Sequence, residues 1–404
     1  MIFKFAYRNI LRQKRRTFFT IMTMTVGFTL AAIIIGWTDG SYNLIIEKFT
    51  RAYLGHIQIH YQDYLEQPTL YKNIDNYREV GKKLDELQTA ESWAPRLYAA
   101  GLVSVGEKST VGQIIGIDPI LENKATGFHK QVKKGKTISK TPAKQVVIGK
   151  VLAKTLNASI GDTLYIVSQA ADGSIANDMY KIIGIVESDD QMKDRMAIYM
   201  HLYDAQKLMV LENRVHEIVV MVEDINKVDE VVSQIENSLN NSQLNVLPWM
   251  EVNKSFYATM QMDKESNNIL SYVVMLIVGI GVLNTVLMAV LERTREFGVL
   301  KALGTRPLQI FILIIVEVLI MTIASIVLGA ILGTAANYAL SHYGIKMPVS
   351  YDLAGVTFDT LISEVNLKSI VFPSVLVILA ALLVSLFPAV YAAKTEPAKT
   401  MRFH

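Results

Sequence analysis

The sequence predicts a membrane protein of four transmembrane α-helices, with a large extracytoplasmic α+β domain inserted between spans one and two. Three observations predict it. Hydrophobic residues make up 51% of the 404 and charged residues only 19%, against about 25% charged in soluble domains, and mean hydropathy is +0.29. The apolar excess is gathered into four blocks, each able to supply the roughly 20 helical residues that a bilayer core of about 30 Å demands. Residues 38–268, between the first two blocks, alternate strand and helix patterns over a length able to bury its own core. A net charge of +3 gives no global signal for nucleic-acid binding. The absence of cysteine excludes disulfides, thiolate catalysis and Cys-based metal sites.

Residues 1–16 place Phe3, Ala6, Tyr7, Ile10 and Leu11 at helical spacing, with Arg8, Arg12 and Arg15 on another face. That is the pattern of an amphipathic helix lying in the headgroup plane. Span one is 17–37. Its apolar run is too long for a signal peptide and no small-residue cleavage pattern follows Gly36, so it reads as a retained anchor. Spans two, three and four are placed at 269–291, 308–340 and 369–393. The flanks rich in Lys and Arg are 1–16, 292–307 and the tail 394–404, whereas the loop 341–368 carries Lys346 and Lys368 against Asp352, Asp359 and Glu364. Basic flanks stay inside, so both termini are predicted cytoplasmic and 38–268 exported.

Within the exported domain, Leu44, Ile45, Lys48, Phe49, Ala52 and Tyr53 form a helical stripe leaving span one. Phe256, Met260 and Met262 form a weaker one entering span two. Strands are expected at 56–60, 102–105, 112–117, 145–148, 163–168, 180–187, 196–200 and 217–222, with turns at Gly161-Asp162 and Asp172-Gly173. Helices are expected at 76–87, 204–211 and 225–239. A small barrel or sandwich with two subregions follows.

No catalytic residue emerges. Gly135-Lys136-Thr137 has Lys130, and Gly149-Lys150-Val151 has Lys144, where a P-loop requires its leading glycine, so the chain binds no nucleotide of its own. His56 and His60 lie on one strand face about 13 Å apart at about 3.3 Å per residue, too far to share an ion, and no metal site is expected. Glu317, about 13 Å into span three at 1.5 Å per residue, reads as a buried hydrogen-bond partner for a neighbouring helix or a carboxylate near the inner interface, with a proton or substrate role as the alternative, and Asn284 in span two is read the same way. Gly329 and Gly333 form a GxxxG that allows close helix packing.

The segment 292–307 joins spans two and three. It favours helix up to Gly304, a C-cap candidate, and Phe297, Leu300 and Leu303 line an apolar edge among charges. A short amphipathic helix there suits docking into a groove of a soluble partner.

Glu292-Arg293-Thr294-Arg295-Glu296-Phe297-Gly298-Val299-Leu300-Lys301-Ala302-Leu303-Gly304 resembles the cytoplasmic loop of FtsX-like ABC transporter permeases, which include lipoprotein-releasing permeases and MacB-type exporters. Tyr7-Arg8-Asn9-Ile10-Leu11-Arg12-Gln13-Lys14-Arg15-Arg16-Thr17 is similar to the family's amino terminus. Val147-Ile148-Gly149 through Gly161-Asp162, and Ile182-Ile183-Gly184-Ile185-Val186, resemble its exported core. The resemblance covers essentially the whole chain. It implies a permease without catalytic residues, paired with an identical or homologous permease and with two copies of a cytoplasmic P-loop ATPase. That partner would hold ATP and Mg2+, and this chain would bind no cofactor. Glu292, Arg295, Glu296, Gly298, Lys301 and Gly304 would then couple to the ATPase, whose closure would reach the exported domain by mechanotransmission.

Trp37-Thr38-Asp39-Gly40 and Gly55-His56-Ile57-Gln58-Ile59-His60 resemble the lipoprotein-releasing branch. An amphiphilic substrate would touch Gly36, Trp37, Asn267 and Ile269 at the outer ends of spans one and two. Membrane lipids and an exported accessory protein complete the implied partners, and the implied location is the bacterial cytoplasmic (inner) membrane. Two alternatives stand beside this reading: an FtsX-like regulator of a cell-wall hydrolase, and a four-span ligand receptor.

Overall fold

The structure is a computed structural model describing residues 2–188, 191–353 and 356–394. Lys399 and Arg402 of the basic tail lie outside the described residues. The chain divides into two compact units, one holding the inserted domain and the other the long helices.

The inserted domain is built on strands β1 (Ile57–Tyr61), β2 (Ile74–Asp75), β3 (Ala90–Val105), β4 (Lys108–Ile117), β5 (Val132–Gly135), β6 (Gln145–Gly149), β7 (Thr163–Gln169), β8 (Ile175–Val186), β9 (Ala197–His201), β10 (Arg214–Val215), β11 (Glu217–Val222) and β12 (Leu244–Pro248). Side by side, β12, β1, β11 and β3 are antiparallel. Helix Tyr77–Glu86 precedes β3 and helix Val228–Leu239 precedes β12, giving a split βαβ arrangement. Each helix buries one face, Tyr77, Val80 and Leu84 on the first and Val231, Ile235 and Leu239 on the second, as 3.6-residue periodicity requires.

The sixteen residues of β3 extend past this sheet. Pairings β3–β4, β4–β9, β9–β6, β6–β8, β8–β7 and β7–β3 close a ring, a small barrel filled by Val103, Ile114, Ile148, Leu164, Ile166, Ile182 and Ile198. The two subregions therefore share β3, and no linker separates them. Only 102–105 of β3 is readable from pattern. Ser92–Leu97 is buried on both faces, which erases the polar–apolar alternation.

The helix leaving span one ends in a π-helical turn, Thr50–Leu54. Its buried side is Ile46, Phe49 and Thr50, with Leu44, Ile45 and Lys48 only half-buried, so the stripe is rotated from the expected one. Phe49 stacks on Phe256 at 4.3 Å, and Trp249 meets the same ring edge-on. Met262 is exposed. Gly55 ends the turn at φ +77, donating its N–H to the Thr50 carbonyl at 2.7 Å. A Cβ there would lie 2.1 Å from a Val219 methyl. Gly55→Ala therefore meets a left-handed backbone and a clash together, and is expected to cost about 1–3 kcal/mol in chemical unfolding.

His56, His60 and His216 are buried in this domain. His56 Nδ1 accepts from the Val222 N–H at 3.0 Å, and His216 Nδ1 from the Tyr98 N–H at 3.0 Å. Each ring is thus held neutral, and burial pushes both pKa values down to about 4. The unfolded chain then binds more protons than the folded one between about pH 6.5 and 4. The expected outcome is an unfolding midpoint that falls as pH drops through that window, measured by denaturant titration of the whole chain.

Among the described residues, four helices are long and apolar enough to cross a membrane: Lys14–Phe49, Lys254–Glu292, Pro307–Tyr343 and Lys368–Lys394. Their core holds Met24, Phe28 and Ala32 of span one, Val278, Val282 and Val286 of span two, and Ile314, Val318, Val377 and Ala381 of spans three and four. The GxxxG faces span one: Cβ atoms on Gly329 and Gly333 would come within 2.7 Å of Phe28 and 2.8 Å of Ala32. Further out along this seam, Asn337 Nδ2 donates to the Ala32 carbonyl at 3.0 Å. Segment 341–368, expected as loop, instead contains two strands that pair, β13 (Ile345–Leu353) and β14 (Val356–Leu361).

Candidate functional site

Between spans two and three the chain breaks at Arg293 and forms a helix, Thr294–Ala302. The Gly304 N–H donates to the Lys301 carbonyl and the Thr305 N–H to the Leu300 carbonyl, both at 3.0 Å. With Gly304 at φ +95, this is the paired C-terminal hydrogen bonding of a Schellman motif.

Arg293 organises the site. It is 7% exposed, with Nε 3.0 Å from Glu296 and Nη1 3.2 Å from Glu317, and it lies over the Phe297 ring at 5.3 Å. Asn9 Nδ2 donates to Glu317 Oε1 at 2.6 Å. The amino-terminal helix, Ile2–Arg12, is also joined to this segment by an Arg12–Glu296 pair, and Arg16 meets Glu292 at 2.8 Å. The carboxylate of Glu317 thus binds side chains from two other elements, so one residue ties the amino-terminal helix, the short helix and span three together. Burial works to raise the Glu296 pKa, but hydrogen bonds and charge from Arg293 and Arg12 outweigh it and hold the carboxyl below its usual range.

These contacts redistribute the expected coupling residues. Glu292, Arg295 and Gly304 are exposed. Glu296 is engaged inside the chain, Gly298 is buried, and Lys301 Nζ donates to the Ala393 carbonyl at the end of span four, where a cation complements the helix dipole. The expected apolar edge also splits. Phe297 is 1% exposed inside the helical core, whereas Leu303 is 80% exposed and Val299 faces outward beside Arg295. A groove lined by Phe5, Arg12, Arg295, Val299, Ile310 and Leu313 opens next to them. The expectation omits Arg293, although its place at the junction of two helices was available as a signal.

At the other end of the helices, Asp39 pairs with Lys368 at 3.2 Å and accepts from Asn366 at 3.0 Å. A polar pocket beside them is lined by Thr38, Lys264, Asn267 and Asn268. Trp37 and Ile269 are exposed. Gly36 is not available as a contact: it is buried, its carbonyl accepts the Glu364 N–H at 2.9 Å, and a Cβ there would lie 2.4 Å from Asn337. Asn284 also departs from expectation. Its side chain is exposed on span two. No group of three or more His, Asp or Glu among the described residues is placed to hold a metal.

The family model for the MacB-like periplasmic core domain matches residues 17–238, more than half of the chain, and that for the FtsX-like permease C-terminal region matches 268–397. The chain belongs to the FtsX-like ABC transporter permease family. Similar proteins span the permease almost end to end. The lipoprotein-releasing system transmembrane protein LolC of Neisseria meningitidis is 21% identical over 98% of this chain and 97% of its own length. LolE of Haemophilus influenzae is 24% identical over 94% and 92%. The macrolide export ATP-binding/permease protein MacB of Campylobacter jejuni is 21% identical over 89% of this chain but only 57% of its own length. The permease is a multi-pass membrane protein.

Proposed function

We propose that this permease couples ATP hydrolysis by a separate cytoplasmic ATPase to movement of its inserted domain, acting on a lipoprotein, lipid or other amphiphilic substrate. The observation that carries the reading is the two-sided short helix. Arg293, Phe297 and Gly298 anchor one side in the helical unit, while Arg295, Val299 and Leu303 project from the other beside an apolar groove. A helix held this way can receive a partner and pass a push on without folding anew.

The basic flanks favour a cytoplasmic position for this surface. The LolC and LolE relatives, named as transmembrane proteins of a releasing system, are matched over 97% and 92% of their own length, which favours an ATPase on another polypeptide, with ATP and Mg2+ held there. Among the relatives matched end to end, LolC and LolE are named for lipoprotein release, which favours a lipidated substrate at Trp37, Asn267 and Ile269. A push on the short helix would enter span three through Arg293 and Glu317. It would then pass to span one along the seam of Gly329 and Gly333.

Purification of the tagged chain from its native membrane tests the reading. A P-loop ATPase is expected to co-purify and to hydrolyse ATP, with lipids or lipoproteins in the same fraction. A preparation with neither ATPase protein nor ATP hydrolysis would overturn it.

A further inference from the structure

His60 is fully enclosed in the inserted domain, on the face of β1 that carries Gln58 and opposite Ile57 and Ile59. Both of its ring nitrogens meet acceptors. Nδ1 lies 3.2 Å from the His216 carbonyl oxygen, and Nε2 lies 2.8 Å from Gln58 Oε1. The Gln58 amide is not free to turn round, because its Nε2 donates to the Leu54 carbonyl at 2.7 Å. A neutral imidazole has one N–H and one lone pair, so it satisfies only one of these acceptors. Without a proton on Nδ1 it turns a lone pair on the His216 carbonyl. Without one on Nε2 it faces Gln58 Oε1, or the amide reverses and sets that oxygen against the Leu54 carbonyl. Only the imidazolium, a donor at both nitrogens, makes all three hydrogen bonds.

The neighbouring charges ask for the same state. Glu217 of β11 has Oε2 4.0 Å from His60 Nε2. Glu217 and Glu122 share one guanidinium, that of Arg96 on β3, so this buried group holds two anions and one cation. A charged His60 brings it to neutrality, which a poorly hydrated cluster favours strongly. Tyr98 of β3 donates its hydroxyl to Glu217 at 3.1 Å and leaves the balance unchanged. Tyr64 stacks on both His60 and His216 at 5.4 Å, and His216 is the neutral ring described above. On the other edge of β1, β12 sets the uncharged Asn245 against His60. Burial works to lower the His60 pKa, while Glu217, the His216 carbonyl and Glu66 work to raise it. The two acceptors and the surplus carboxylate decide for the charged form.

We propose that His60 is a buried imidazolium that neutralises the Arg96–Glu122–Glu217 cluster, and that its proton holds Gln58 against the π-helical turn at the end of the helix leaving span one. When the proton leaves, either the His216 carbonyl loses its donor or Gln58 lets go of Leu54, and the joint between β1 and the turn loosens. His56 and His216, which accept from backbone N–H groups, respond to acid; His60 responds to base. Its stabilisation is fully present below the ordinary histidine value of about 6.5 and is lost as pH climbs through the higher folded value. The site lies wholly in the inserted domain, so its charge state does not depend on the ATPase reading.

Solid-state NMR of the full chain in lipid bilayers, labelled with 15N at the histidine rings, reads the proton directly. At pH 7 His60 is expected to show two protonated ring nitrogens, identified by their loss in His60→Gln. In Glu217→Gln, where the cluster is balanced without it, one of the two nitrogens is expected to become bare. The wild-type unfolding midpoint in denaturant should fall between pH 7 and 9, and that of His60→Gln should stay level. Hydrogen exchange at pH 7 should be about tenfold faster over residues 50–58 in Glu217→Gln than in wild type, with β6 and β7 of the barrel unchanged.

A bare His60 ring nitrogen in the wild-type chain at pH 7 would overturn the proposal. So would an alkaline fall in stability that His60→Gln leaves intact, or equal exchange over 50–58. If His60→Gln does not fold, the wild-type spectrum compared with Glu217→Gln still decides the charge.

Discussion

Arg96→Leu is expected to destabilise the inserted domain by about 3–5 kcal/mol, the range for removing one partner from a buried ion pair. The guanidinium meets Glu122 through Nε at 3.1 Å and Nη2 at 2.7 Å, and Glu217 through Nη1 at 3.0 Å. All three residues are buried. Arg96 and Glu217 are cross-strand partners on β3 and β11, while Glu122 comes from the helix Pro119–Thr126. One side chain therefore joins sheet and helix. Burial raises the Glu122 pKa, but Arg96 outweighs it and holds the carboxyl below its usual value. Leucine would leave two carboxylates unpaired in a poorly hydrated site. Denaturant unfolding of the full chain, followed by tryptophan fluorescence, measures the loss. The deficit relative to wild type should shrink in acid, where the stranded carboxyls take up protons. A deficit below about 1 kcal/mol would mean that water or a rearranged neighbour satisfies both, against the range for a broken buried pair.

Leu303→Asp should separate docking from folding. The side chain projects from the capped end of the short helix, so its replacement removes no internal contact of consequence. If it fills a pocket on the ATPase, its loss is expected to cost about 2 kcal/mol or more, roughly a thirtyfold weakening of the complex. Retention of ATPase during purification and affinity in titration both read it, and the thermal midpoint of the free permease should not move. Undiminished affinity would remove Leu303 from the docking surface. Glu296→Lys is a poorer probe, because Glu296 is paired with Arg293 and Arg12. Reversing its charge disturbs the joint between the amino-terminal helix and the short helix before any partner is met.

Charges at 292–304 mark a special segment, but sequence does not say which of them point inward. Arg293 and Arg295 are two residues apart and therefore on different helix faces. One became the buried centre of a network and the other remained at the surface, and only the position of Glu317 across the bundle decided which. The helix Pro119–Thr126, absent from the expected elements, carries a legible start: Asp118 caps it by accepting from the Ile120 and Leu121 N–H groups, with Pro119 in the first turn, a recognisable signal. Most of β3 was not legible, because a strand buried on both faces carries no alternation to read.

The sequence by itself determined the four spans, their order around the inserted domain, and the family, because apolar block length and a contiguous motif are local properties that bilayer thickness and chain chemistry read directly. Only the tertiary structure decided that β3 serves both sheet and barrel, that span one packs on the GxxxG of span three, and that Gly36 is closed off while Asn284 is left outward. Those outcomes depend on pairings between residues far apart in the chain, and their free energy comes from which surfaces meet.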